Sequence, residues 1–127
     1  MAQAILNALD CPDGELSVLI EDDKGIAGLN SEYLHRKGPT NVIAFPMRDG
    51  KFPGVNPNVL GDVVISIETA EREGNDAGTG MKRRFAELLI HGILHLFGYD
   101  HEKNSYQARK MGKKAAELLK IVEGIAL

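Results

Sequence analysis

The chain has 127 residues, of which 43% are hydrophobic and 26% are charged, and its formal net charge is −3 at pH 7. These values predict one globular domain over residues 1–127, and no apolar run approaches the ~20 residues that a membrane span requires. Cys11 is the only cysteine, so the chain can form neither an intrachain disulfide nor a cysteine-based zinc site. The N-terminal residues show no basic leader followed by a long apolar segment, so we expect a cytoplasmic protein without membrane contact.

Helical and strand patterns follow one another along the chain. Asn30 is the expected N-cap of the second helix, and Ser66 or Glu68 is expected near the start of the third. Strands separated by helices predict a mixed α/β or α+β layer fold. The predicted elements are a helix over 3–9, a strand over 15–22, a short helix within 28–38, a strand over 40–47, a loop over 48–58, a strand from 59 that passes into a polar helix ending near 78, an apolar helix over 80–97 and an amphipathic helix over 103–123.

The last two helices differ in character. Apolar residues surround most of the helix over 80–97, which is typical of a central, largely buried helix, and Gly98 is expected to end it in the left-handed conformation. The segments 82–84 ("KRR") and 103–120 are locally basic, and they form either a docking face for an anion such as RNA or solvated helix faces. The final helix is expected to pack through Tyr106, Met111, Ala115, Leu118, Leu119 and Val122.

Three of the four histidines lie in "HGILHLFGYDH", residues 91–101. His91 and His95 are four residues apart, so a helix places them about 40° apart around its axis and one turn along it. On a continuous helix His101 would lie about 15 Å along the axis from His91, but a turn at Gly98 brings it back. Three imidazoles suit one Zn²⁺ best, with Ni²⁺, Co²⁺ or Cu²⁺ as competitors, and they leave a fourth position open for water.

The same histidine spacing, with glycine at the eighth position, occurs in metzincin peptidases. In metzincins, the residue directly after the first histidine is a glutamate that serves as general base. In this chain, the corresponding residue is Gly92. Peptide hydrolysis is therefore disfavoured, and phosphodiester cleavage fits better, because a metal ion can polarise a phosphoryl oxygen. Asp100 is a candidate for orienting a ligating imidazole, whereas His35, outside the cluster, is assigned no metal role.

The chain strongly resembles the YbeY family of bacterial rRNA maturation factors, which are metal-dependent endoribonucleases specific for single strands. "HGILHLFGYDH" carries the resemblance together with "LNSEYL" (29–34), "PTNVIAFP" (39–46) and "LGDVVIS" (60–66), and it runs from about Glu15 to about Ala116. It implies an α+β fold with a small mixed sheet of three to four strands flanked by helices. It also implies one Zn²⁺ held by His91, His95 and His101, beside an RNA cleft walled by the "TNVIAFP" strand.

The chain departs from the family pattern in three ways. Where the family usually has an arginine after the tyrosine of the first block, this chain has Leu34, and Arg36 does not match by position. Ala44 replaces the family's serine before phenylalanine. The family's additional N-terminal strand is expected to be missing, because only about fourteen residues precede the first predicted strand. The loss of a cation at position 34 would weaken stabilisation of charge on a phosphate.

The resemblance implies maturation of ribosomal RNA, notably the 3′ end of the small-subunit RNA, and ribosome quality control. The expected partners are single-stranded ribosomal RNA and the small ribosomal subunit or its proteins. Two alternatives stay open, namely a ribosome-assembly or RNA-binding factor with a mainly structural zinc site and a hydrolase of a small phosphoester or amide. Asp62 either caps a loop or supports the site, Asn41 is either a turn residue or a cleft contact, and Phe45 is expected to shape the cleft wall.

Overall fold

A computed structural model of the chain describes residues 1–47, 58–102 and 104–124. The predicted loop over 48–58 lies outside these ranges except for Asn58. Five helices flank one three-stranded mixed sheet within the described residues, which confirms the expected α+β class. The elements are α1 (Ala2–Ala8), β1 (Glu15–Glu21), α2 (Asp23–Leu34), β2 (Val42–Pro46), β3 (Val59–Ser66), α3 (Ile67–Ala77), α4 (Met81–Leu96) and α5 (Ser105–Glu123).

The sheet has the strand order β1-β3-β2, with β1 parallel and β2 antiparallel to β3. Successive residues Val63, Val64 and Ile65 of β3 are all buried, because the central strand is covered on both faces. This coverage explains why β3 is a continuous apolar run instead of an alternating pattern. Pro46, which cannot donate a ladder hydrogen bond, lies at the end of β2, on an edge strand.

Helix α4 packs against β2 and β3 and supplies much of the core. Its approach to the sheet depends on Gly92, where an added Cβ would lie 2.6 Å from Cγ1 of Val63 and 3.3 Å from Cγ2 of Val42. The expectation of a central, buried helix is therefore confirmed, and this close packing brings the histidine-bearing helix next to β2. The buried residues of α4 are Ala86, Leu88, Leu89, Ile90, Gly92, Ile93, Leu94 and Leu96.

The predicted start of the second helix is wrong. Helix α2 begins at Asp23, and the Asp22 side chain caps it by accepting a 2.7 Å hydrogen bond from the Gly25 backbone N–H. Asn30 is buried inside the helix, and its side-chain amide donates to the Gly38 carbonyl at 3.0 Å. The two glycines in the helix, Gly25 and Gly28, lower its intrinsic helix propensity. The sequence pattern therefore does not predict the first turns of α2.

Helix α5 packs through Met111, Leu118 and Val122, as predicted, but Tyr106 is 62% exposed. Tyr106 precedes Met111 by five positions on the helix, which places the tyrosine about 140° around the axis from the buried face. The prediction for Tyr106 is therefore wrong. None of the helices in the described ranges is long and apolar enough to cross a membrane.

Candidate metal centre and cleft

Three imidazoles converge at the C-terminal end of α4. The Nε2 atoms of His91 and His95 are 3.1 Å apart, as expected for residues one helical turn apart. The His101 ring lies 5.1 Å and 5.4 Å, centroid to centroid, from these two rings. One ring nitrogen from each histidine falls within 4.8 Å of the others, so the three expected ligands are brought together in the described part of the chain.

The turn after α4 brings His101 back toward the helix. Gly98 has a φ of +91°, and its N–H donates to the His95 carbonyl while that of Tyr99 donates to the Leu94 carbonyl, each at 3.0 Å. This 6→1 and 5→2 pair is the Schellman motif, so the prediction that Gly98 ends the helix is confirmed. The Asp100 carboxylate accepts a 2.9 Å bond from the Glu102 N–H, and this bond closes the turn around His101.

Burial keeps the two helical imidazoles neutral. It is the largest cause that lowers the pKa of His91 to about 4, and the neighbouring His95, His101 and Arg84 lower it further. Burial, followed by the charge of His101, also lowers the pKa of His95, although Asp100 and Glu102 act in the opposite direction. A neutral imidazole has a free lone pair for a metal ion, so neither ligand needs to lose a proton near pH 7.

The donor set fits a zinc ion. Nitrogens bound tetrahedrally to Zn²⁺ at ~2.05 Å lie about 3.3 Å apart, close to the spacing of the His91 and His95 nitrogens. His101 is 44% exposed, so its ring can rotate toward the other two. Three nitrogen donors without a fourth protein ligand among the described residues match an open coordination site.

The histidines line a cleft of about 560 Å³ between α4, β2 and the segment that follows α2. Asn41 lines this cleft, as one of its two interpretations anticipated, and both Leu34 and Arg36 lie on its wall. Arg36 forms no ion pair with any described residue, so its guanidinium remains available to a ligand in the cleft.

Asp62, Phe45 and His35 do not line this cleft. Asp62 lines a separate cavity beside β1, with Leu16 and Ser17. The Phe45 ring contacts Tyr33 edge-on, with 5.7 Å between centroids, and does not line the histidine cleft. His35 is the C-cap residue of α2, with a left-handed φ of 55°, and it lies outside the group of three histidines.

Two residues that the sequence patterns did not connect with the histidines flank them on α4. Arg84 lies seven residues and Glu87 four residues before His91, so both share its side of the helix. Nη1 of Arg84 lies 3.2 Å from the Glu87 carboxylate, and Nε of Arg84 lies 2.9 Å from the Glu73 carboxylate. Extending the histidine periodicity backward along α4 would have found both residues.

Ion pairs with glutamates neutralise most of the charge of the basic segment 82–84. Arg83 lies 3.5 Å from Glu123 and 4.0 Å from Glu87, and Arg84 is held by two carboxylates. These ion pairs favour the interpretation of residues 82–84 as paired, solvated helix faces.

Three imidazoles from one helix and its following turn, in a polar cleft beside a mixed sheet, define the donor set of a metal-dependent hydrolase with an open coordination position. The family model described as endoribonuclease YbeY matches residues 1–123. A protein from Geobacter metallireducens named endoribonuclease YbeY is 50% identical over 124 residues, which cover 97% of this chain and 83% of the relative. One of the same name from Aquifex aeolicus is 44% identical over 109 residues, covering 86% and 71%.

The fold is also found in a solved structure. A solution structure of a protein from Thermotoga maritima aligns with a TM-score of 0.70 and 25% identity over 97% of this chain and 77% of that chain. The chain therefore belongs to the endoribonuclease YbeY family. An endoribonuclease is a hydrolase that acts on RNA.

Proposed function

We propose that this chain is a zinc-dependent endoribonuclease that cleaves single-stranded ribosomal RNA in the cytoplasm, notably at the 3′ end of the small-subunit RNA. The observation that carries the proposal is the convergence of three imidazoles in an open cleft. The relatives named endoribonuclease support the reaction class. We also propose that the chain acts in the maturation and quality control of ribosomes, and that it contacts the small subunit or its proteins. One domain over residues 1–127 would carry this activity.

His91, His95 and His101 would hold the ion, and water would take its fourth position. When bound, the ion supplies Lewis-acid polarisation of a phosphoryl oxygen and lowers the pKa of a coordinated water. The protein contributes three nitrogen donors and a cleft that orients the RNA backbone. Gly92 offers no carboxylate, and a larger side chain there would collide with Val63. This arrangement supports phosphodiester hydrolysis over peptide hydrolysis.

Arg36 is the cation that we assign to the substrate phosphate. It lines the cleft together with the histidines, and it forms no ion pair with a described acidic residue. Guanidinium groups bind phosphate oxygens through paired, charge-assisted hydrogen bonds. Leu34 lies on the same wall and provides only apolar surface. In this proposal, Arg36 supplies the positive charge that the side chain at position 34 lacks.

The experiment is cleavage of a labelled small-subunit rRNA precursor with a single-stranded 3′ extension. We expect cleavage by the zinc-loaded protein and its loss after chelation and in a folded His95→Ala variant. Arg36→Ala should reduce cleavage about 10- to 100-fold, whereas the adjacent exposed Lys37→Ala should change it less than about threefold.

Each contrary result has a distinct meaning. Equal cleavage in the chelated protein and in His95→Ala would refute the metal-dependent mechanism. Binding of ribosomes without cleavage by the zinc-loaded protein would instead support an assembly factor whose zinc is structural. An unchanged rate in Arg36→Ala would refute only the role of Arg36.

A further inference from the structure

A second cavity adjoins the histidine cleft. It has a volume of about 390 Å³ and lies between α4, α5 and the start of β2. We call it the side cavity. Asn41, Val42 and His91 line both the side cavity and the cleft, so the two spaces are neighbours across these residues. A chain that passes the three histidines can therefore place one of its groups in the side cavity.

The walls of the side cavity are mainly aliphatic, and its polar groups are concentrated on α4. Val42, Leu88 and Leu119 provide apolar surface from three different elements. Arg84 and Glu87 present a donor and an acceptor side by side, with 3.2 Å between them. An apolar cavity with a few fixed polar groups is typical of a site for a small organic group.

Charge disfavours a phosphate in the side cavity. Arg84 is held by the carboxylates of Glu73 and Glu87, and Glu87 also lies 4.0 Å from Arg83, so these contacts leave no unpaired positive charge for a phosphate. Two of the five guanidinium N–H donors are used in these contacts, which leaves three for a ligand. A carboxylate has about four acceptor sites, so Glu87 also retains capacity for hydrogen bonds. The preferred ligand is therefore neutral and carries both donors and an acceptor.

We propose that the side cavity binds one nucleobase of the RNA, next to the phosphate at the histidines, and that it favours guanine. This inference rests on the proposed function. Glu87 would accept hydrogen bonds from N1–H and N2–H of guanine, and Arg84 would donate to O6. Uracil offers a single N–H on this edge, and adenine and cytosine offer only an exocyclic amino group. Unpaired bases in single-stranded RNA are commonly recognised through such hydrogen bonds.

The test is equilibrium binding of fluorescent pentaribonucleotides to zinc-loaded protein, with uridine at four positions and a varied central base. Intact oligonucleotide is verified after each titration. We expect central guanine to bind roughly tenfold more tightly than central uracil, and inosine, which lacks N2–H, to bind with intermediate affinity. The preference should fall below about threefold in Glu87→Gln, because an amide oxygen cannot accept both bonds as a carboxylate does.

A matched variant controls for the loss of one carboxylate from a helix surface. Glu117 of α5 forms a similar pair with Lys114 at 3.5 Å but does not line the side cavity, so Glu117→Gln should retain the preference for guanine. Ala116→Phe tests the space itself, since Ala116 is exposed and lines the side cavity. This added ring should reduce the guanine preference without removing Glu87.

The outcomes separate this inference from the proposed function. Equal affinity for all central bases, absence of binding, or a preference that persists in both Glu87→Gln and Ala116→Phe would overturn the side-cavity assignment. Cleavage of RNA without a base preference would refute this inference and leave the proposed function intact. Guanine-selective binding without any cleavage would refute the proposed function and support the side cavity as a base-binding site.

Discussion

Single residues determine how closely the histidine-bearing helix approaches the sheet. Gly92 follows His91, and the space that a Cβ would need is occupied by the two γ-methyl groups of Val63. Val63 is fully buried and β-branched, so it cannot move aside easily. The close packing of α4 on β3 therefore requires glycine at position 92, and glycine provides no carboxylate that could act as a general base beside His91.

Gly92→Ala should destabilise the protein by about 1–3 kcal/mol, because overpacking against Val63 exceeds the gain in helix propensity. The matched control is Gly112→Ala in α5, where an added Cβ meets nothing within 4 Å. That control should stabilise the protein by up to about 1 kcal/mol. Urea denaturation of both variants measures the difference, and equal stabilisation by both would contradict the packing argument.

At the scale of elements, one hydrogen-bonded junction joins the starts of α2 and α3. The buried Ser66 hydroxyl caps α3 by accepting a bond from the Thr69 N–H at 3.2 Å, and it donates to the Asp23 carboxylate at 2.6 Å. Thr69 donates to the same carboxylate, and the Asp23 N–H donates to the Glu68 carboxylate. The first residues of each helix therefore provide hydrogen-bond partners for the first residues of the other helix.

Ser66→Ala should destabilise the protein by about 1–3 kcal/mol, since it removes a helix cap and one partner of Asp23. Chemical denaturation measures this loss. Asp22→Ala, which removes only the exposed cap of α2, should cost about 1 kcal/mol and serves as the comparison. A smaller loss for Ser66→Ala than for Asp22→Ala would contradict the role of the junction.

The same junction predicts a dependence on acid. Hydrogen bonds from Ser66 and Thr69, together with Arg72, lower the pKa of Asp23 from 3.8 to about 2. Because the unfolded state takes up the proton first, this contribution to stability is present above about pH 4 and is lost as the pH falls toward 2.

Asp23→Asn should therefore lose stability at neutral pH and show a weaker further loss between about pH 4 and pH 2 than the wild type does. Urea midpoints across this range test the prediction, with the exposed Asp13→Asn as control. A parallel acid dependence in wild type and Asp23→Asn would show that other groups are responsible.

At the scale of the whole molecule, a metal ion at the three histidines would link α4 to the turn that follows it. A ligand that binds only the folded state at 100 times its Kd stabilises that state by about 2.7 kcal/mol. For a domain of this size we expect saturating zinc to raise the melting temperature by about 10 °C over the chelated protein. His95→Ala should abolish this difference, whereas His35→Asn should retain it. A zinc-dependent shift of equal size in His95→Ala would place the ion elsewhere.

Local sequence information accounts for most of the elements and for the histidine site. Helical spacing places His91 and His95 one turn apart, Gly98 tolerates the left-handed conformation that ends α4, and Ser66 is a favourable N-cap. These features depend on residues within a few positions of one another, so they can be predicted without a fold. The role of Asn30 does not follow from local sequence, because its partner, the Gly38 carbonyl, only becomes available once the segment after α2 folds back.

Only the tertiary structure determined which distant groups meet. The strand order, the presence of Arg36 in the cleft and the pairing of Arg84 with Glu73 depend on packing between separate elements. The side cavity likewise exists only where α4, α5 and β2 come together. The sequence by itself determined the histidine donor set and the ends of most elements, because these follow from local backbone geometry. The surroundings of the donors were decided by contacts far apart in the chain, which no local pattern encodes.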